Sequence, residues 1–397
     1  MVNHPPSSQA NSPSHWLHKL GLVLIVRFLQ PTRVEAEDRV DYRYEDYSEE
    51  ASRMHIRTHS AFAEMTLTQW LSLKGDYVYD GISGATPTGA PPPPGSTQVP
   101  MAHLEDVRRA GYIEPSFKFG RHTITPQVAY SKEGDYKSLG LSLNYSLDLN
   151  QKNTTLLFGI GQNLDTVQPN FWSQSKRKNS TDVLVGVTQL LGPHTVLNVD
   201  LTIGTSSGYL ADPYRIVQFD NPLDGFDQPL GYPVTTAEVR PTHKTKQVFF
   251  VSLTQYFDIL NASAEGSYRF YHDSYGIFSD TLQLAWFQKL GSHFVLSPSV
   301  RYYQQTAASF YYPSVTSLGD PGYDPFGTVP KYFSADYRLA KLDSWTLGFK
   351  VMYKFNDHLH FDLAYQRYMM EGNDGGKTSA SAFPKANIVT LGLGAWF

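Results

Sequence analysis

WTLGFKVMYKF, residues 345–355, places a large apolar side chain at every second position: Trp345, Leu347, Phe349, Val351, Tyr353 and Phe355. Between them stand Thr346, Gly348, Lys350, Met352 and Lys354. A period of two is the signature of a strand with one apolar and one wet face. The pattern continues downstream. Leu359, Phe361, Leu363 and Tyr365 alternate with His358, His360, Asp362 and Gln366, and Val389, Leu391, Leu393, Ala395 and Phe397 with Thr390, Gly392, Gly394 and Trp396. Upstream it returns at Leu139-Leu141-Leu143-Tyr145-Leu147, Leu197-Val199-Leu201-Ile203 and Phe294-Leu296-Pro298-Val300-Tyr302.

Soluble sandwiches alternate as well, so the connections must decide. Tight polar turns are expected at 68–69, 120–121, 150–152, 192–193, 257–258, 291–292 and 356–357. Between them fall more variable connections, the long ones at 81–106, 164–179, 205–244, 306–342 and 371–384. The two kinds alternate strictly, as an up-and-down barrel with short turns at one end requires. The expected fold is all-β: a transmembrane antiparallel β-barrel of about 16 strands, within a range of roughly 14–18. Barrel closure pairs every backbone group, which a sheet in hydrocarbon needs.

Composition agrees. The 397-residue chain has 18% charged residues and a formal net charge of -4, yet 14% aromatic residues, with 26 Tyr and 23 Phe. Membrane barrels combine a wet interior with aromatic girdles in this way. The small net charge gives no reason to expect a nucleic-acid partner. Zero cysteines exclude thiol nucleophiles, Cys-ligated metals and disulfides. The run Leu20–Leu29 follows His15, His18 and Lys19, is broken by Arg27, and precedes Val34-Glu35-Ala36. That reads as a secretory signal cleaved after Ala36. Residues 1–36 are therefore expected to be an extension plus leader, and 37–397 the barrel. A strand beginning so soon after the leader leaves no room for an N-terminal plug domain.

Assigning sides from the apolar partners places Arg43, Lys74, Asp76, Glu114, Asp200, Glu265, Arg269, Arg301, Lys350 and Asp362 toward the lumen. Arg57, Lys118, Lys354, Asp41 and Glu45 are assigned there too. Such charges solvate a hydrophilic lumen and, as rings, set ion selectivity. Ser83, Gly84, Thr86, Pro87 and Gly89 lie in SGATPTGAPP (residues 83–92), a turn-rich excursion and a candidate constriction loop. Gly84 and Gly89 lack the following lysine and helix of a phosphate loop. The pairs His55/His59 and His358/His360 each share a strand face but show no third ligand, so no metal or cofactor is expected. Ser263 and Ser267 fall on inward positions without a Gly-x-Ser-x-Gly elbow, and no catalytic residues are assigned.

The segments WLSLKGDYVYDGISGATPTGAP (70–91) and YFSADYRLA (332–340) resemble an uncharacterised bacterial family of outer-membrane β-barrel proteins, catalogued as a domain of unknown function. The likeness runs from about Ala36 to Phe397. It implies location in the bacterial outer membrane and adds no catalytic residues. The expected function is a porin-like pore for passive passage of small hydrophilic solutes or ions. The alternative is a structural or binding barrel whose loops 205–244 and 306–342 close the mouth and engage a partner or surface ligand. The expected surroundings are outer-membrane lipid and the barrel-assembly machinery, which would read the final strand ending at Phe397.

Overall fold

The structure, a computed structural model, describes residues 38–169, 173–220, 231–315 and 330–397. The expected leader and its cleavage point after Ala36 lie outside the described residues. Among the described residues the strands are β1 (Arg39–Glu49), β2 (His55–Thr68), β3 (Leu71–Pro87), β4 (Met101–Phe119), β5 (His122–Lys132) and β6 (Tyr136–Leu149). They continue with β7 (Thr154–Val167), β8 (Lys176–Gly192), β9 (Thr195–Gly208), β10 (Ile216–Phe219), β11 (Val234–Ala237) and β12 (His243–Phe257). The last are β13 (Ala262–Asp273), β14 (Phe278–Leu290), β15 (Phe294–Gln305), β16 (Leu342–Lys354), β17 (Leu359–Gly372) and β18 (Lys385–Trp396). All but β10 and β11 form one closed antiparallel barrel of sixteen strands. It is sealed by β1 against β18 from Arg39–Trp396 to Glu49–Ala386. The strands β10 and β11 make a separate hairpin inside the loop between β9 and β12.

Cross-strand partners share a face, so register carries the side assignment around the wall. One row runs Tyr44–Leu391–Leu363–Val351–Leu296, and its neighbour runs Arg43–Gly392–Asp362–Met352–Val295. The first row faces out. Leu139, Leu141, Leu143, Val183, Val185, Leu282, Leu284, Leu347, Phe349, Leu363, Leu391 and Leu393 are all 37–61% exposed. A band of that extent in water would far exceed the patches that soluble monomers expose. In lipid it is the favourable surface.

Aromatic pairs edge the band. Near the short turns Trp70 stacks on Phe117, Phe257 on Trp286, and Phe294 meets Tyr353. Near the loops Tyr302 packs on Trp345 at 4.6 Å. Trp345 and Tyr353 are eight residues apart on β16, about 26 Å of strand, or about 20 Å of membrane at ordinary tilt. This is the wall of a β-barrel of the bacterial outer membrane.

Two expected details differ. The excursion at 81–106 is shorter, because β3 and β4 stay paired out to Pro87–Met101. Arg57 does not face the lumen. It shares the outer face with His55 and His59, 3.7 Å from Asp46, while His55 Nε2 meets Asp46 at 3.0 Å and His59 Nδ1 meets the Tyr42 hydroxyl at 2.7 Å. These groups lie on β1 and β2, where polar side chains hydrogen-bonded to one another alternate with inward Ile56 and Phe62. Reading polarity as an indicator of the lumen fails at Arg57, while Asp41, Arg43 and Glu45 keep their inward parity.

Candidate functional site: the loop cluster and the cavity beneath it

On the inner wall, register brings some of the expected charges together. Lys74 lies between Glu64 and Glu114, with its Nζ 3.4 Å from Glu64, while Gln127 donates to Glu114 at 2.9 Å. Lys350 and Asp362 form an ion pair at 3.2 Å, with His360 Nε2 3.7 Å from the same acid. Asp76 lies between Phe62 and Tyr112, one row from Arg43. Asp200 stands opposite Gly186 and Phe250, and Glu265 opposite Thr254 and Ala285. Neither has an ion-pair partner among the described residues. Inward glycines accommodate these acids. A Cβ at Gly186 would come within 2.1 Å of Asp200 Oδ1, and one at Gly392 within 2.3 Å of Asp362 Oδ2.

At the loop end the connections fold together. Val217, Phe219, Val315, Phe333 and Ala335 form one buried cluster, with Phe219 edge-on to Phe333 at 5.2 Å. Tyr275, Ile277, Ala308, Phe310 and Leu339 form another, and Tyr337, Ala340, Leu342, Ala382 and Phe383 a third. The third cluster packs against Tyr303 and Met370, both on inward rows of the wall. Gln305, on the same face as Tyr303, donates to the carbonyls of Arg338 and Ala340 at 2.9 and 2.7 Å. The loops are thereby fastened within the barrel mouth.

The candidate constriction residues join this cluster. Ser83, Gly84, Thr86 and Pro87 belong to β3, and Gly89 follows it. Arg215 donates to Thr86 Oγ1 at 2.9 Å and to the Pro87 carbonyl, and the Ile216 N–H donates to the Thr88 carbonyl at 2.9 Å. Gly89 (φ +102°) has no room for a side chain, since a Cβ would meet the Ile216 carbonyl oxygen at 2.3 Å and Ala335 at 3.5 Å. The segments 83–92 and 332–340, far apart in sequence, thus meet through Arg215 and Gly89.

Asp336, 1% exposed, is the centre of that meeting. It accepts from Arg240 at 2.8 Å and from Arg338 at 2.6–3.0 Å, and lies 3.7 Å from Arg215. Glu238 takes Arg240 at 2.7 Å and the hydroxyl of Ser334. Burial by itself would raise the Asp336 carboxyl. Arg338, Arg240 and Arg215 outweigh it and hold the acid well below the usual carboxylate range. Glu238 goes the opposite way: burial lifts its pKa, Asp336 adds to the lift, and Arg240 opposes it. The cluster thus holds one firmly ionised acid beside one reluctant to ionise.

Below the loops, a cavity of about 580 Å³ opens on the inner wall between β6 and β15. Its roof includes Tyr209, Arg240 and Leu339, and its walls carry Lys178, Lys244, Lys246 and Arg269. A smaller cavity of about 340 Å³ adjoins Arg301, Tyr47 and Tyr368. Such sizes suit small molecules.

The family described as "Protein of unknown function (DUF3570)" matches residues 27–175 and 170–391. The chain belongs to this family. No curated protein matches it. Among solved structures, CdiB from Acinetobacter baumannii is similar, with a TM-score of 0.51 at 8% identity over 92% of this chain and 61% of that one. That likeness is one of barrel fold. A bacterial polysaccharide outer membrane secretin (TM-score 0.48, 9% identity, 92% of this chain and 100% of that one) is also similar. So is the siderophore receptor PirA from Pseudomonas aeruginosa (TM-score 0.43, 12% identity, 91% and 63%). The chain spans less than two thirds of PirA and of CdiB.

For this family member, sequence reasoning missed Lys178, Lys244, Lys246, Asp182, Asp273, Arg215, Glu238 and Arg240. The first three occupy inward positions of β8 and β12. Their signal is present as parity, but Lys178 and Lys244 sit where the sequence suggests loops, beyond the reach of the clear alternation.

Proposed function

We propose that this chain is a porin-like pore for passive passage of small hydrophilic solutes or ions, with the loop cluster as its constriction. The observation that supports this most is the polar cavity on the inner wall, roofed by loops that are fastened to inward wall residues. A wall of sixteen strands encloses more space than its own side chains fill. Charges on the inner rows solvate that space, and selectivity follows from their arrangement. In this reading Arg43, Lys74, Asp76, Glu114, Asp200, Glu265, Arg269, Arg301, Lys350 and Asp362 line the path. Delivery rests on the barrel-assembly machinery reading the strand that ends at Phe397. Purified, heat-modifiable protein in planar bilayers should give stable conductance steps. Folded protein without conductance would overturn the proposal.

A second reading, a binding barrel with a closed mouth, draws on a different observation: the buried network around Asp336 makes the loop cluster a packed body with its own core. Conductance separates the two.

A further inference from the structure

We infer that the larger cavity is a binding site for a small hydroxylated oxyanion, a carboxylate or phosphate carried on a sugar-sized body, with Arg269 as its anchor. This deepens the pore reading by naming the class of solute, and it rests on that reading only for transport, not for binding.

Four of the five cations on the cavity lining are already committed to acids. Lys246 meets Asp182 at 2.9 Å, and Lys178 meets Asp165 at 3.3 Å. Lys244 is 3.9 Å from Asp273, whose carboxylate also accepts from the Tyr271 hydroxyl at 2.7 Å and the Tyr275 N–H at 3.0 Å. Arg240 is held by Glu238 and Asp336. Among the described residues both carboxylates on the lining, Asp182 and Asp273, already have a cation, so these residues offer a cationic ligand no uncommitted acid. Arg269 differs. Among the described residues no carboxylate lies within ion-pair distance of it, although its guanidinium carries five N–H donors and lines the same cavity. It stands in the row Phe250–Arg269–Thr281–Tyr303, with Lys246 and Lys244 on the adjacent strand β12. An oxyanion beside Arg269 would complete its fork and gain from the surrounding cations.

The rest of the lining defines the body of the ligand. Tyr136, Tyr271 and Tyr303 already donate their hydroxyls to Asp165, Asp273 and Gln305, at 2.5, 2.7 and 2.5 Å. They therefore present rings rather than free donors. Ser180 and Ser206, 2.9 Å apart, and Thr281 supply small hydroxyls. Rings beside hydroxyls suit a hydroxylated carbon skeleton, and about 580 Å³ accommodates one sugar-sized molecule with water.

Calorimetric titration of the folded protein in detergent tests the site without reference to transport. The probes are glucose 6-phosphate, gluconate and neutral glucose. Both anions should bind, and glucose should bind about ten- to a hundred-fold more weakly, the range of one charge-assisted contact. Arg269→Gln should remove that difference, Arg269→Lys should retain part of it, and Lys354→Gln at the short-turn end should leave it unchanged. Equal binding of glucose and the anions, or an unaltered difference in Arg269→Gln, would overturn the inference. Reversal potentials in a potassium chloride gradient then separate the two levels. Arg269-dependent binding without conductance keeps the site and removes the pore. Conductance without binding or anion preference keeps the pore and removes the site.

Discussion

At Gly392 the backbone of β18 passes so close to Asp362 that a Cβ would lie 2.3 Å from Oδ2 and 2.7 Å from Cγ. Asp362 in turn holds Lys350 at 3.2 Å. Adding a methyl group there forces the acid off its partner, a form of overpacking that costs about 1–3 kcal/mol. Gly392→Ala should therefore unfold at lower urea concentration than the wild type. Because the clash is with one side chain, Asp362→Ser in the same molecule should recover most of the loss, as a double-mutant cycle would show. The opposite face obeys a different solvent. Leu363, 45% exposed on the outward row, meets lipid, and Leu363→Arg should cost about 2–4 kcal/mol if it lies near the midplane. Refolding yield into lipid vesicles measures this. Equal tolerance of Leu363→Arg and of a charge-neutral change at inward Lys354 would refute the side assignment.

The strands and the loops differ in how much of them the sequence exposes. Strand order, the tight turns and the inward position of Arg269 or Lys350 follow from period two and from turn chemistry, both local signals. The loop cluster is not local. Arg215 reaches Thr86 across 129 residues, and Arg240 reaches Asp336 across 96. No periodicity announces such contacts, so YFSADYRLA could be singled out without revealing that Asp336 would be fully enclosed. Arg57, set beside Asp46 with His55 on the outer face, departs from expectation for a related reason. Polar residues that satisfy one another can sit on either face, and only register tells which. Acidification tests the loop element by itself. Asp336 has a folded pKa below its ordinary 3.8, so its contribution is present above that value and fades as pH falls through and below it. Glu238 is raised, so its protonation on the way down relieves a cost rather than creating one. Protease sensitivity of the loops should stay flat from neutral pH to about 4 and rise only below that. A rise that begins near pH 6 would contradict this assignment of roles.

For the whole molecule, wall and loop cluster are held by different forces and should fail separately. The wall rests on continuous backbone pairing and on lipid against its outer rows, neither of which involves Asp336. The cluster rests on buried Asp336 and on three arginines gathered around it, Arg215 and Arg240 nearly enclosed and Arg338 half exposed. Asp336→Asn keeps the shape and removes the charge, leaving Arg215, Arg240 and Arg338 facing one another around a neutral amide. Losing one member of a buried charge network typically costs about 3–5 kcal/mol. That loss should fall on the loops alone. The variant should still migrate as a heat-modifiable barrel, while its loops become sensitive to protease at neutral pH. If the cluster is the constriction of a pore, the same variant should show larger or more frequent conductance steps than the wild type, because loosening the roof widens the path without altering the wall. If the cluster serves instead to present a binding surface over a sealed lumen, loosening it should degrade that surface and open no steady current. Conductance and loop protection measured on one preparation of Asp336→Asn therefore decide between a gate and a lid that carries its own function.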